Sequence, residues 1–243
     1  MRKFKRDVIT LSYDFNKQYS RVPVKMTRIK LLEKWMNDIR KKEKYYCFDG
    51  WKYRISGTVL ELYILPSITK DLNKYRCSTI TIGQILKTLS SHIENEGLHF
   101  HIQSFPNLEN PEIVASIRMD DNSYHNPDVF TKNENRNNAD NFREWLFKMS
   151  HRYQFRLQPI EKPEKFNIGF QSEKKPEWLA LSSSADNPFA WLNLGYWKET
   201  ILSESNKIFP ETELFVHDFC KYRENSKGKK QTNNLQAYIA FTH

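Results

Sequence analysis

Histidine, cysteine and clustered lysine carry most of the chemistry this chain of 243 residues could support. His99 and His101 stand two apart in LHFHIQSF, whose alternation predicts a strand, so both imidazoles would leave one face. With His92 nearby they have the makings of a zinc site, yet no cysteine or carboxylate completes a usual ligand spacing. His217 and Cys220 lie three apart, and nothing completes them either. A metal centre is therefore not expected. No Gly-x-Ser-x-Gly elbow, Walker A loop or Gly-x-Gly-x-x-Gly turn occurs, and the seven glycines are scattered singly. No acid–base pair stands out, so no side-chain catalyst is assigned. MRKFKR and KYRENSKGKK are basic clusters with aromatic neighbours, the raw material of nucleic-acid binding. Elsewhere Lys and Arg are interleaved with acids, and no RNP, helix-turn-helix or zinc-finger pattern appears. Nucleic acid is therefore not the expected partner.

These residues need elements to hold them. Residues 26–42 repeat apolar side chains at Ile29, Leu32, Trp35, Met36 and Ile39, which predicts an amphipathic helix with Thr27 as its N-cap. Residues 52–66 alternate on either side of Ser56-Gly57-Thr58, which predicts a hairpin ended by Pro66. A second helix is expected from Ile80 to Asn95, with Ile82, Ile85, Leu86, Leu89 and Ile93 on its apolar face and Gly97 just past its end. ENPEIVASIRM reads as a short helix or the entry of a strand. Residues 120–139 are Asn-rich without periodicity, a long loop and the best candidate boundary. NFREWLFKMSHR predicts a helix, YQFRLQPI a strand, residues 162–177 a Pro- and Lys-rich loop, and WLALSSS a short strand. A further helix covers 188–208, with Trp191, Leu194, Trp197, Ile201 and Leu202 on one side. LQAYIAFTH closes the chain as a strand.

Composition bounds the rest. The chain has 38 Lys+Arg against 29 Asp+Glu, a formal charge of +9, and a mean hydropathy of −0.74. Twelve Tyr, sixteen Phe and six Trp are too many for a disordered chain. The length fits one large domain or two small ones sharing a core. Cys47, Cys77 and Cys220 are odd in number and far apart, which excludes a disulfide framework and fits a reducing, cytoplasmic setting. No apolar run approaches the ~18 residues of a membrane span, and the basic N-terminus lacks the apolar core of a secretory signal. The positive charge points to anionic partners without choosing among them.

The elements repeat. LLEKWMNDI is similar to NFREWLFKM, with Trp35 and Trp145 110 residues apart. IGQILKTLSSHIENEGL aligns with LGYWKETILSESNKIF, with Gly83 and Gly195 112 apart. Chance likeness between amphipathic helices is one explanation. The other is duplication: residues 1–119 and 120–243 as two similar halves, packed as an intramolecular pseudo-dimer around one core. A ligand would then lie in the crevice between them.

The stretch FDGWKYRISGTVLELYILP, followed by IGQILKTL, resembles the flavin-dependent nitroreductase superfamily, most closely its internally duplicated dormancy-associated members. Those carry Asn-x-Gln-Pro-Trp-basic-aromatic, then a strand ending in Glu-Leu-Tyr, then a Gly-bearing helix. Here Trp51-Lys52-Tyr53 and Glu61-Leu62-Tyr63 match. The family's Asp-x-x-x-x-Trp-Leu-x-x-Gly helix is matched by Asp186, Trp191, Leu192 and Gly195. In scattered form the likeness covers residues 16–242.

The likeness implies an α/β (α+β) nitroreductase-like fold and an FMN-dependent oxidoreductase using NAD(P)H. A member with weak or no turnover is a sub-case. In the family the flavin carries the hydride chemistry and the protein supplies binding and electrostatics. By the same likeness, Lys17 and Arg21 would cradle the FMN phosphate, helped by Lys227, Lys229 and Lys230. Lys52 would donate near N1/O2 of the flavin, Trp51 would wall the ring, and Trp191 and Asn193 are further flavin contacts. Two departures bear on this. Cys47, Asp49 and Gly50 replace the family's Asn, Gln and Pro, and a thiol cannot both donate and accept as an amide does. Only Lys17 and Arg21 keep the charge of the family's N-terminal phosphate motif. The alternative function is a non-enzymatic basic module for nucleic acid or another anionic partner. A duplicated chain is self-sufficient as a monomer, and a homodimer is compatible with it.

Overall fold

In the computed structural model the described residues are 26–42, 50–107, 109–120, 142–163, 175–219 and 234–242. The fold is mixed α+β, with five helices and two four-stranded antiparallel sheets among these residues. The chain divides into two compact units. The first comprises residues 1–71 and 85–132, the second 72–84 and 133–243. No helix among the described residues is long and apolar enough to cross a membrane.

In the first unit, helix α1 (Met26–Lys41) precedes the hairpin β1 (Trp51–Ser56) and β2 (Val59–Ile64). Gly57 makes the turn with φ +61°, where a side chain would be strained. Pro66 opens the one-turn helix α2 (Pro66–Thr69). Then come the long helix α3 (Leu72–Asn95), which counts with this unit from Ile85 on, β3 (Phe100–Ser104) and β4 (Ile113–Met119). Strand order is β1-β2-β4-β3. Leu32, Met36 and Ile39 of α1, Leu60, Leu62 and Ile64 of β2, and Ile85, Leu89 and Ile93 of α3 form its apolar interior. Gly97, at φ +68°, ends α3: its N–H meets the Glu94 carbonyl at 2.8 Å, and the Leu98 N–H reaches back to Ile93 at 3.1 Å.

The second unit repeats this plan. Helix α4 (Phe142–Arg152), β5 (Phe155–Pro159), β6 (Glu177–Ser183), α5 (Pro188–Ile208), β7 (Leu214–Asp218) and β8 (Asn234–Phe241) follow one another, and the sheet order is β5-β6-β8-β7. The irregularities repeat as well. The β2–β4 register shifts between Leu62 and Tyr63, leaving Val114 as the extra residue. The β6–β8 register shifts between Leu181 and Ser182, leaving Gln236 extra. The bulged carbonyl accepts a phenylalanine N–H each time, Phe105 to Val114 at 2.8 Å and Phe219 to Gln236 at 3.0 Å. A shared bulge with a shared partner is a local device rather than a general consequence of antiparallel pairing.

Several sequence expectations need correction. Helix α3 starts at Leu72, eight residues before the expected Ile80. Its first turns bury Arg76, Ser78, Thr79 and Thr81, which no apolar stripe announces. Thr79 and Thr81 satisfy their hydroxyls on the carbonyls of Tyr75 (2.8 Å) and Cys77 (2.9 Å). Thr27 lies inside α1, which begins at Met26, so it is not the N-cap. ENPEIVASIRM supplies strand β4. Helix α5 buries Leu192, Gly195, Tyr196 and Thr200 besides its expected stripe, whereas Leu202 is only half-buried. The expected loop at 120–139 falls outside the described residues, apart from Asp120.

One pH effect arises in the first unit. The His92 ring lies parallel to Trp35 of α1, with centroids 6.2 Å apart and planes within 10°. Burial, above all, lowers its pKa, helped by Lys42 and Lys34 and opposed by Asp38 and Glu96. A lowered folded pKa means that the unfolded chain binds the proton more readily. Stability from this group is therefore present above the usual pKa of about 6.5 and falls as the pH drops below it. His92→Phe keeps a ring on Trp35 and should remove that part of the acid sensitivity. Urea midpoints at pH 7 and pH 5 test this; an equal pH dependence in both proteins would contradict it.

Candidate functional site

A polar cluster with several shared bonds lies in the second unit, where β6 hands over to α5. Asn187 is extended (φ −145°, ψ 169°), and its side chain accepts the Ala190 N–H at 3.0 Å, capping α5 with Pro188 in the first turn. The capped turn holds the preceding residue, Asp186, at the mouth of the helix. Ser183 tightens the same turn by donating to the Ala185 carbonyl at 2.6 Å.

Arg76 of α3 enters this cluster almost wholly buried, at 2% exposure. Its Nη1 donates to Asp186 Oδ1, its Nη2 to Gln236 Oε1 at 2.8 Å, and its Nε to the Phe219 carbonyl at 2.8 Å. The Trp191 indole N–H also donates to Asp186 Oδ1, at 2.5 Å, and Gln236 Nε2 does so at 3.2 Å. Three donors thus converge on Oδ1. The guanidinium also lies over the Trp191 ring, 5.2 Å from its centroid, while Tyr75 meets that ring edge-on at 6.2 Å. Burial raises the Tyr75 pKa, so the phenol stays neutral beside the ion pair.

Gln236 reaches the cluster because it is the bulged residue of β8. A bulge re-aims a side chain that regular alternation would send elsewhere. The first unit has a fully buried valine, Val114, at the matching bulge. The matching bulge of the first unit thus offers no polar side chain. What the polar cluster does chemically is hold a cation and a carboxylate in fixed orientation, with the Ser183 hydroxyl accepting from Gln236 Nε2 at 2.8 Å while it donates to the Ala185 carbonyl.

The expected site residues fare differently. Lys17, Arg21, Lys227, Lys229 and Lys230 lie outside the described residues, as do Cys47, Asp49 and Cys220. In the first unit Trp51 is buried at 4% exposure and faces the helices, with Arg40 5.9 Å from its centroid and 5.1 Å from that of Tyr53. Lys52 follows it on β1 and is exposed on the opposite face. In the second unit Trp191 is 3% exposed, its N–H and ring already engaged by Asp186 and Arg76. Asn193, two residues on, is half-exposed. Asp186, Gly195 and Gly83 do come together with Arg76 on two crossing helices and the turn before them. Arg76 and Gln236 were not singled out in the sequence. An arginine ahead of an apolar helical run, and a glutamine within an apolar strand, were the available signals.

His101 pairs with Asp120 at 2.8 Å and is largely exposed. Among the described residues no three His, Cys, Asp or Glu side chains gather as a metal site would require. No family model matches the chain, and no curated protein matches it either.

Proposed function

We propose that the chain is an FMN-binding, nitroreductase-like oxidoreductase, its two similar halves forming an intramolecular pseudo-dimer in a cytoplasmic setting. One observation carries this reading: the residues of the family-like helix motif have interlocking physical roles. Asp186 receives Arg76 and Trp191, and Gly195 admits the backbone of α3. The repeated order of helix, two strands, helix and two strands supports the same duplicated plan.

Among the described residues, Lys52 and Asn193 keep polar groups available for a flavin, whereas both tryptophans are core residues. The phosphate would fall to Lys17 and Arg21. When bound, FMN would supply hydride transfer from NAD(P)H, and the chain would supply orientation and charge.

Titrating FMN with the chain and following flavin fluorescence tests this. Saturable quenching is expected, and Arg21→Ala should weaken binding by about tenfold, the loss of one charge-assisted phosphate contact. No quenching at any protein concentration would remove the flavin from the account. Quenching without NADH or NADPH oxidation would assign the binding-only form.

A further inference from the structure

Strand alternation gathers on one face cations that the sequence interleaves with acids. On the side of the first unit's sheet away from its helices, β1 places Lys52 and Arg54, β2 places Glu61 and Tyr63, β4 places Ser116 and Arg118, and β3 places His101 and Gln103. The register sets Lys52 beside Tyr63, Arg54 in a row with Glu61, Ser116 and Gln103, and Arg118 between Val59 and His101. Lys52, Arg54, Arg118, His101 and Gln103 are exposed, and Tyr63 and Ser116 half-exposed.

We propose that this face binds the phosphodiester backbone of single-stranded nucleic acid. Three fixed positive charges, Lys52, Arg54 and Arg118, stand against the Glu61 carboxylate on the face and the Asp120 carboxylate that pairs with His101 at its edge. The Glu61 carboxylate receives Arg54 Nε at 2.9 Å and Nη2 at 2.5 Å, which steadies the guanidinium while 66% of its side chain stays accessible. Strand geometry puts Lys52 and Arg54 about 7 Å apart and Arg54 and Arg118 about 12 Å apart, a ladder suited to an extended polyanion. Tyr63, among the cations, offers a ring face to a base, and Gln103, Ser116 and His101 offer hydrogen bonds.

Two other anionic partners fit less well. Among the described residues the exposed large apolar side chains are Leu72, Phe189 and Ile208, none of them on this face, which favours a polyanion over a lipid surface there. Four strands span about 14 Å, more than the roughly 12 Å major groove of a duplex. Lys52 is shared with the proposed flavin contacts, whereas Arg54 and Arg118, which the test alters, are not.

Fluorescence anisotropy of a labelled oligothymidylate with the full chain, across a salt series, tests the proposal. Arg54→Gln/Arg118→Gln should weaken binding about tenfold at low salt, and the plot of log K against log salt should become shallower by about 1.4. Glu61→Gln should tighten binding about threefold, since it removes the opposing charge. Lys30→Gln/Lys207→Gln removes the same charge elsewhere and should change affinity less than about twofold. The altered side chains are largely exposed, and circular dichroism confirms that the variants fold. The proposal is overturned if the Arg54/Arg118 variant binds as the parent does, or if the lysine control loses as much. It is also overturned if phosphatidylserine vesicles bind the chain as tightly as the oligonucleotide at equal ionic strength.

Discussion

Arg76→Met should destabilise the second unit by about 2–3 kcal/mol, because it strips three acceptors of their donor while Asp186, 29% exposed, keeps some solvation. Methionine roughly fills the space of the stem, so the loss is electrostatic rather than a cavity effect. Asp186 would lose one of three donors on Oδ1, Gln236 Oε1 its donor and the Phe219 carbonyl its guanidinium contact. Trp191 would lose the cation above its ring. Urea unfolding followed by tryptophan fluorescence measures the loss. Pairing Arg76→Met with Asp186→Leu and Gln236→Met should recover only part of it, because the Trp191 N–H and the Phe219 carbonyl would still lack their partners. A single-variant loss below about 1 kcal/mol would mean that the cluster does not hold the β6–α5 junction.

Gly195→Ala should be comparably damaging for a different reason. A Cβ at Gly195 would fall within 3.0 Å of the Ile80 carbonyl, where real Cβ atoms are essentially never found. Reciprocally, a Cβ at Gly83 would press on the Leu192 carbonyl and the Tyr196 nitrogen. Both obstacles are helix backbone, which cannot rotate aside. Overpacking typically costs about 1–3 kcal/mol; forcing two backbones apart should lie at or above that upper end. Gly57→Ala is a graded comparison: open space surrounds its Cβ, and only its φ of +61° opposes the change, so about 1 kcal/mol is expected. Thermal melts should rank Gly195→Ala and Gly83→Ala well below Gly57→Ala. The reverse order would remove the close helix crossing from the account.

The sequence revealed elements with an apolar rhythm. Helices α1, α4 and α5, the β1–β2 hairpin and strand β8 were read from spacing, because each presents a distinct apolar face. The Gly83 and Gly195 pair was noticed as a repeat landmark, and its physical meaning is a crossing of two helices. What spacing could not reveal was polar burial. The spacing begins α3 only at Ile80 because Arg76, Ser78, Thr79 and Thr81 interrupt the pattern, yet tertiary partners and i−4 carbonyls satisfy several of them. Gln236 was equally hidden: on a regular strand it would be one more alternating residue, and only the register shift aims it at Arg76. Trp51 and Trp191 illustrate the opposite case. Their residue type suggests a flavin wall; in the fold both are buried, and Trp191 donates its N–H to Asp186.

FMN binding, as proposed, is decided by the flavin content of the protein. The most direct measurement is to purify the full chain with excess FMN, remove unbound flavin by gel filtration, denature the protein and quantify the flavin released. The account predicts a yellow protein that releases FMN in stoichiometric proportion to the chain. A colourless, folded chain that releases none would contradict it.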